Sequence, residues 1–275
     1  MTAARREQLL SYTVLGIFAV VAIYPILSIV LLAFHERTDL VTGFALPDHL
    51  SFGTFKEAWD LGGFDRALLN SLIVAATVAS VTAVVSTLAG YAFGAMRFRG
   101  SDLLFYLLLV GLIFPYEATV IPLYYMFKDY GLTDSYWALI LPQIGLSIPF
   151  GTFWMRAFFR STPISLVEAS RLDGASSLAT LLRVLLPQAK PALTTLVVLV
   201  FMWTWNEFLL ALVMIQSDDL RTAPLGLALF AGANRTQDPT LTAAAAVLVA
   251  LPVVIVYVFL QRSFIRGMFS GAVKG

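Results

Sequence analysis

A chain of 275 residues with 59% hydrophobic residues, 13% charged residues and a mean hydropathy of +0.83 is too apolar for a soluble domain, which carries about 25% charged residues. It reads as an integral membrane protein. The formal net charge of +1 lacks the basic face that nucleic-acid binding needs, and the absence of cysteine excludes disulfides, thiolate catalysis and cysteine-ligated metals.

A membrane-spanning helix needs about 20 apolar residues. Six stretches qualify: Leu9–Phe34, Leu68–Met96, Leu103–Phe127, Tyr136–Phe159, Ala192–Ile215 and Leu241–Phe264. The first is too long for a signal-peptide core and lacks a clear small-residue cleavage site, so it reads as a retained helix. His35 and His49 fall together in the polar loop that follows and read as ordinary loop histidines. The second span carries Ser86, Gly90 and Gly94 at spacings of four, which lets a neighbouring helix approach closely. Pro115, Pro122, Pro142 and Pro149 punctuate the third and fourth spans. The carbonyls they free need partners in protein or in a wet cavity.

Orientation follows from the basic residues. Twelve of the eighteen lie on one side: Arg5, Arg6, Arg97, Arg99, Arg156, Arg160, Arg171, Arg183, Lys190, Arg262, Arg266 and Lys274. The opposite loops hold six, and most of the acids. The bias alternates with the six spans, and it puts both termini and the loop Ser161–Pro191 in the cytoplasm. One membrane domain covers residues 1–275.

That loop is the least expected part of the chain. A connection needs only a few residues, and this one spends about thirty. Ser165 and Glu168 have the spacing of a capping box, with Thr162-Pro163 as an alternative start. The helix is expected to run through Leu172 and stop at Asp173-Gly174, where glycine accepts the left-handed conformation. A second helix begins near Ser176, with Leu178, Leu181, Leu182 and Leu185 as one apolar stripe. Pro187 and Pro191 are expected to end it. Two helices and a stripe suggest a docking element for a cytoplasmic protein, whereas a solvated loop needs neither.

Glu168-Ala169-Ser170, Gly174 and Val184-Leu185-Leu186-Pro187 resemble the EAA loop of ABC-importer permeases, whose pattern is E-A-A, a glycine six residues after the glutamate, and I-x-L-P. Ser170 for alanine and Val184 for isoleucine are mild departures. Gln261-Arg262, Gly267 and the tail Gly271-Ala272-Val273-Lys274-Gly275, with Trp205-Asn206-Glu207-Phe208 and Asn70-Ser71-Leu72, are similar to the maltose-type second permease of the carbohydrate-uptake branch. The resemblance covers the chain from the first span onward. It implies an all-α polytopic fold with six transmembrane helices, of the type I ABC importer kind, in a bacterial or archaeal cytoplasmic membrane. It implies coupling residues Glu168, Ala169, Asp173, Gly174 and Pro187, with Lys274 and Gly275 reaching between two ATPase subunits. The implied partners are those two ATPases, a second homologous permease and an external sugar-binding protein. The chain contains no G-x-x-x-x-G-K-[ST] phosphate loop. ATP and magnesium therefore belong to the partner ATPase, and no cofactor, metal or catalytic residue is expected here.

Two carboxylates fall inside spans, Glu117 and Glu207, and such residues usually face a wet cavity or a partner. From a rise of about 1.5 Å per residue, Glu117, Gln143 and Glu207 lie at similar depth, roughly 10–15 Å below the outer helix ends. Asn206 adjoins them, and Tyr116, Trp203, Trp205 and Phe208 crowd the same level. These four polar residues either line the translocation path or fix the bundle. The competing function is an oligomeric secondary transporter driven by an ion gradient, with Glu117 and Glu207 as ion sites.

Overall fold

The computed structural model describes residues 3–37, 39, 44–232 and 238–270, with the backbone alone for 3–6, 9 and 262–270. The described residues are helical throughout, with turns between. Five helices among them are long and apolar enough to cross a membrane: Leu10–Ala33, Phe64–Ala95, Tyr136–Ser161, Ser177–Trp205 and Pro239–Gln261.

The expected third span is not continuous. In its place stand α4 (Ser101–Val110) and α5 (Tyr116–Asp129). Pro115 causes the break. It has no N–H to give, and it pushes the preceding residue out of the helical region. Its own backbone is extended, at φ −64° and ψ 122°. The expected fifth span is also interrupted: α9 (Leu186–Trp205) stops at Asn206, and a short α10 (Leu209–Met214) follows.

The chain forms two compact units. The first comprises residues 1–65 and 226–251. It holds α1 (Ala3–Ala33), α2 (Gly53–Gly62) and the adjoining parts of α11 (Ala223–Gly232) and α12 (Pro239–Ser270). Arg37 ties it together, pairing with Glu57 at 2.6 Å and with Asp238 at 2.9 Å. Buried Thr54 donates to the His35 carbonyl at 2.8 Å. His49 pairs with Glu36 at 2.9 Å, which raises its pKa through that hydrogen bond and charge. The loop histidines therefore have structural partners.

The second unit, residues 66–225 and 252–275, holds the functional candidates. Its core pairs α3 (Phe64–Ala95) with α6 (Tyr136–Ser161) through the small residues. A Cβ added to Gly90 would lie 2.5 Å from Met155 Cβ and 2.8 Å from the Arg156 backbone nitrogen. One on Gly94 would lie 3.0 Å from Phe159 Cβ, and one on Gly151 would collide with Ser86. The four-residue spacing thus marks a backbone-to-backbone contact.

Polar clasps close the end of this unit that holds residues 130–136 and 215–223. Buried Asn70 donates to the carbonyls of Asp219 and Arg221 at 2.8 and 2.9 Å and accepts from the Tyr136 hydroxyl at 2.6 Å. Ser71 accepts from the Ala223 N–H at 2.8 Å. Asp134, at φ +54°, accepts from the Gln216 and Ser217 N–H groups at 3.0 Å each and from the Ser217 hydroxyl at 2.9 Å. Those backbone donors, Ser217 first, hold its carboxyl below the usual range.

Candidate functional site: coupling helix and intramembrane cleft

The loop 161–191 is built differently from its expected outline. Helix α7 runs over Ile164–Leu172 with Pro163 at its N-cap and no side-chain cap. The Ser165–Glu168 capping box is therefore not made. The helix starts at the alternative Thr162-Pro163 position, which leaves Ser165 inside the first turn. Its end matches the sequence. Gly174 sits at φ +78°, and the Ala175 N–H reaches back to the Ser170 carbonyl at 3.0 Å, a Schellman closure that needs a residue free to adopt positive φ.

The second helix does begin after Ser176, whose hydroxyl accepts from the Ala179 N–H at 3.3 Å. Pro187 and Pro191 do not end it. α8 (Ser177–Ala179), a π-turn over Thr180–Leu185 and α9 form one continuous helix from Ser177 to Trp205. A proline strips a helix of one donor and crowds the carbonyl four residues back. The wider π-turn just before Pro187, with the Leu186 N–H bonding the Leu181 carbonyl five residues back, relieves that crowding. The turn also splits the apolar stripe. Leu181 and Leu185 are buried, while Leu178 and Leu182 are half exposed.

α7 is held by its other face. Val167 and Ser170 are buried, and the Ser170 hydroxyl bonds the Val167 carbonyl at 2.9 Å and the Thr180 hydroxyl at 3.0 Å. Ser170 is the residue that departs from the E-A-A pattern, and its hydroxyl finds a buried partner on the following helix. Glu168, Ala169, Asp173 and Gly174 are exposed, as are the apolar Ile164 and Leu172. Among the described residues, Glu168, Arg171 and Asp173 make no ion pair, so Glu168 and Arg171 do not pair along the helix. Pro187 is exposed beyond the π-turn. Lys274 and Gly275 lie outside the described residues.

The intramembrane candidates separate into two groups. Gln143 and Glu207 line a cleft of about 340 Å³ together with Tyr116, Ser147, Trp203 and Thr204. The Tyr116 hydroxyl is buried beside the Glu207 carboxylate. Glu117 and Asn206 do not line it. Glu117 is exposed in the first turn of α5, and Asn206 bonds its own helix at the Met202 carbonyl, 2.7 Å away. Gln143 likewise donates to the Leu139 carbonyl at 3.0 Å. Glu207 accepts from the Leu210 N–H at 2.6 Å, so it caps α10 where the chain breaks. A carboxylate at a helix N-terminus is favoured by the unpaired N–H groups there. Of the aromatic residues expected at this level, Tyr116 and Trp203 line the cleft, whereas Trp205 is buried with its ring centroid 5.7 Å from that of Phe201. Ser147 and Thr204 carry no sequence signal that distinguishes them from packing residues. At the other end of α6, Trp154 donates to the Ala192 carbonyl at 2.9 Å and so ties α6 to α9.

Residues 86–270, which contain α7, its turn and the cleft, match the family described as the binding-protein-dependent transport system inner membrane component. The chain belongs to this family. The permease is 35% identical over 262 residues to the probable ABC transporter permease protein YurM of Bacillus subtilis, covering 95% of this chain and 87% of that one. It is 32% identical over 255 residues to the trehalose transport system permease protein SugB of Mycobacterium tuberculosis, covering 92% and 93%. Its fold superposes with a TM-score of 0.79, at 26% identity and over 96% of this chain and 98% of the other, on a bacterial ABC transporter chain involved in import of the acidic polysaccharide alginate. The permease is thus an all-helical inner-membrane transport component of the ABC importer type.

Proposed function

We propose that this permease is the pore-forming subunit of an ATP-driven importer for a sugar or oligosaccharide, and that α7 with its 173–174 turn is the handle on which ATPase subunits pull. The observation that carries the reading is the exposure of Glu168, Ala169, Leu172, Asp173 and Gly174 on a helix whose opposite face is anchored at Val167 and Ser170. An anchored helix with unpaired acids and apolar side chains facing outward has the surface of a docking element. The family's dependence on a binding protein supports an external solute-binding partner, and curated relatives named for trehalose and maltodextrin transport support a carbohydrate substrate.

In this reading two homologous permeases form the pathway, with both termini and α7 in the cytoplasm. Two ATPase subunits bind ATP and magnesium. Their closure displaces α7, and the displacement passes through the Ser170–Thr180 contact into the long helix 177–205, rocking the bundle between inward-open and outward-open forms. The permease makes and breaks no covalent bond. Gln143 and Glu207, with Tyr116 and Trp203, offer amide, carboxylate, hydroxyl and ring faces to a sugar in the cleft, and Glu117 and Asn206, next in the chain to Tyr116 and Glu207, contribute to the pathway once the pore is assembled. The resemblance assigns Lys274 and Gly275 to the contact with the ATPase pair.

The test is Glu168→Ala in the assembled transporter, with vanadate trapping of the wild type. Among the described residues Glu168 makes no ion pair and no side-chain hydrogen bond, so its loss is expected to leave the permease folded and inserted while ATPase co-purification and uptake fall. Normal co-purification and uptake would remove α7 as the handle. Uptake that continues with the ATPase trapped would favour the ion-gradient reading instead.

A further inference from the structure

A second cavity, of about 420 Å³, opens beside the base of α7. Its lining includes three arginines, Arg97, Arg156 and Arg160, and one carboxylate residue, Asp102. Arg156 is held in place: its Nε donates to the Phe93 carbonyl at 3.2 Å, its guanidinium carbon lies 3.9 Å from the Phe105 ring centroid, and it faces Asp102 at 3.5 Å. Its side chain is only 15% exposed. Arg97 and Arg160 are exposed, and among the described residues they make no ion pair and no side-chain hydrogen bond. The pocket therefore contains one fixed cation and two uncommitted ones, with a surplus of positive charge. It shares Ile164 and Val167 with α7 and no lining residue with the cleft.

We infer that this pocket binds a phosphate-bearing anion, the headgroup of an anionic lipid or free phosphate. Guanidinium groups present paired N–H donors that match phosphate oxygens. Basic pockets between transmembrane helices, at the face toward which basic residues are biased, take anionic headgroups. The fixed Arg156 gives the anion a seat, and Arg97 and Arg160 close on it from the α3 and α6 ends. Anion binding here does not require α7 to be the coupling element. If α7 has that role, as proposed above, the bound anion braces its base, because Ile164 and Val167 form part of the same wall.

The experiment uses the full chain in nanodiscs and counts retained lipid by native mass spectrometry, comparing phosphatidylglycerol with phosphatidylcholine. A thermal-shift titration with inorganic phosphate runs in parallel in a neutral-lipid nanodisc. Arg99→Ala is the control, since Arg99 belongs to the same loop but does not line the pocket. Wild type and Arg99→Ala are expected to retain phosphatidylglycerol preferentially, and Arg97→Ala/Arg160→Ala to bind it about tenfold more weakly or worse. Arg97→Lys/Arg160→Lys is expected to recover part of the loss, which an unfolded variant could not do. A phosphate-dependent shift in wild type without lipid preference assigns the site to free phosphate. Wild type showing no preference and no shift overturns the inference, whether or not the double variant folds. So does a double variant that binds as Arg99→Ala does.

Discussion

Ser170→Ala restores the alanine of the E-A-A pattern, and it is nevertheless expected to loosen α7. Ser170 is 7% exposed and Thr180 is 1% exposed. With the Ser170 proton on the Val167 carbonyl, Thr180 is the donor in the 3.0 Å bond between the two hydroxyls. Removing Ser170 leaves that buried donor without its acceptor, which costs about 1–3 kcal/mol. Two effects offset part of this. Alanine is the better helix former by about 0.5 kcal/mol, and Thr180 can share the Ser176 carbonyl, which already accepts the Thr180 N–H at 2.8 Å. The net loss is about 1 kcal/mol, or roughly fivefold faster exchange of the α7 amides if they exchange through local opening. Adding Thr180→Val removes the stranded donor, so the double variant should regain most of the loss. The assay is hydrogen exchange by mass spectrometry on peptides covering 164–185, run as a double-mutant cycle. Unchanged exchange in Ser170→Ala, or a double variant as loose as the sum of the two singles, would refute the argument that this contact anchors the helix.

Glu207 supports two outcomes that can be separated. Glu207→Ala frees the Leu210 N–H and is expected to cost about 1 kcal/mol in the stability of the α10 start, read as increased exchange over 208–214. Glu207→Gln keeps an acceptor and should preserve assembly while changing uptake or substrate range; an assembled Gln variant with unchanged uptake and range would remove the cleft from the pathway. Asp134 predicts a pH dependence with a definite sign. Its carboxyl is held below the usual range by the Ser217 and Gln216 N–H groups, so its contribution is complete at neutral pH. It is lost as pH falls below the ordinary carboxylate value of about 4 and through the lowered one. Asp134→Asn tolerates the same positive φ and removes only the charge, so exchange at 215–217 should become faster at neutral pH and lose its acid sensitivity. A variant with the wild-type acid profile would show that another group controls this loop.

The coarse architecture was legible because a bilayer imposes a one-dimensional rule. Apolar runs of spanning length can be counted along the chain. Gly174 was readable for a similarly local reason, since a helix stop with positive φ selects glycine. The helix starts and stops at prolines were less readable. Pro163 displaced the Ser165 capping box, Pro115 cut the third span, and Pro187 did neither because a π-turn absorbed it. A proline's effect depends on whether the surrounding turns can widen, and the residue itself does not encode that.

The candidate site divides in the same way. The spacing of polar residues along helices placed Gln143 and Glu207 at one depth, and they do share a cleft. Helical rise gives height without rotation, however, so it also admitted Glu117 and Asn206, which do not line the cleft. The Ser170–Thr180 bond, the Asn70 and Asp134 clasps and the arginine pocket join residues that are neighbours only after the helices pack. The sequence by itself determined the all-helical membrane character, the jointed loop and the family, because each rests on local composition or a contiguous motif. The tertiary structure decided which hydroxyls, carboxylates and guanidinium groups meet, because those contacts depend on the azimuth and approach of packed helices.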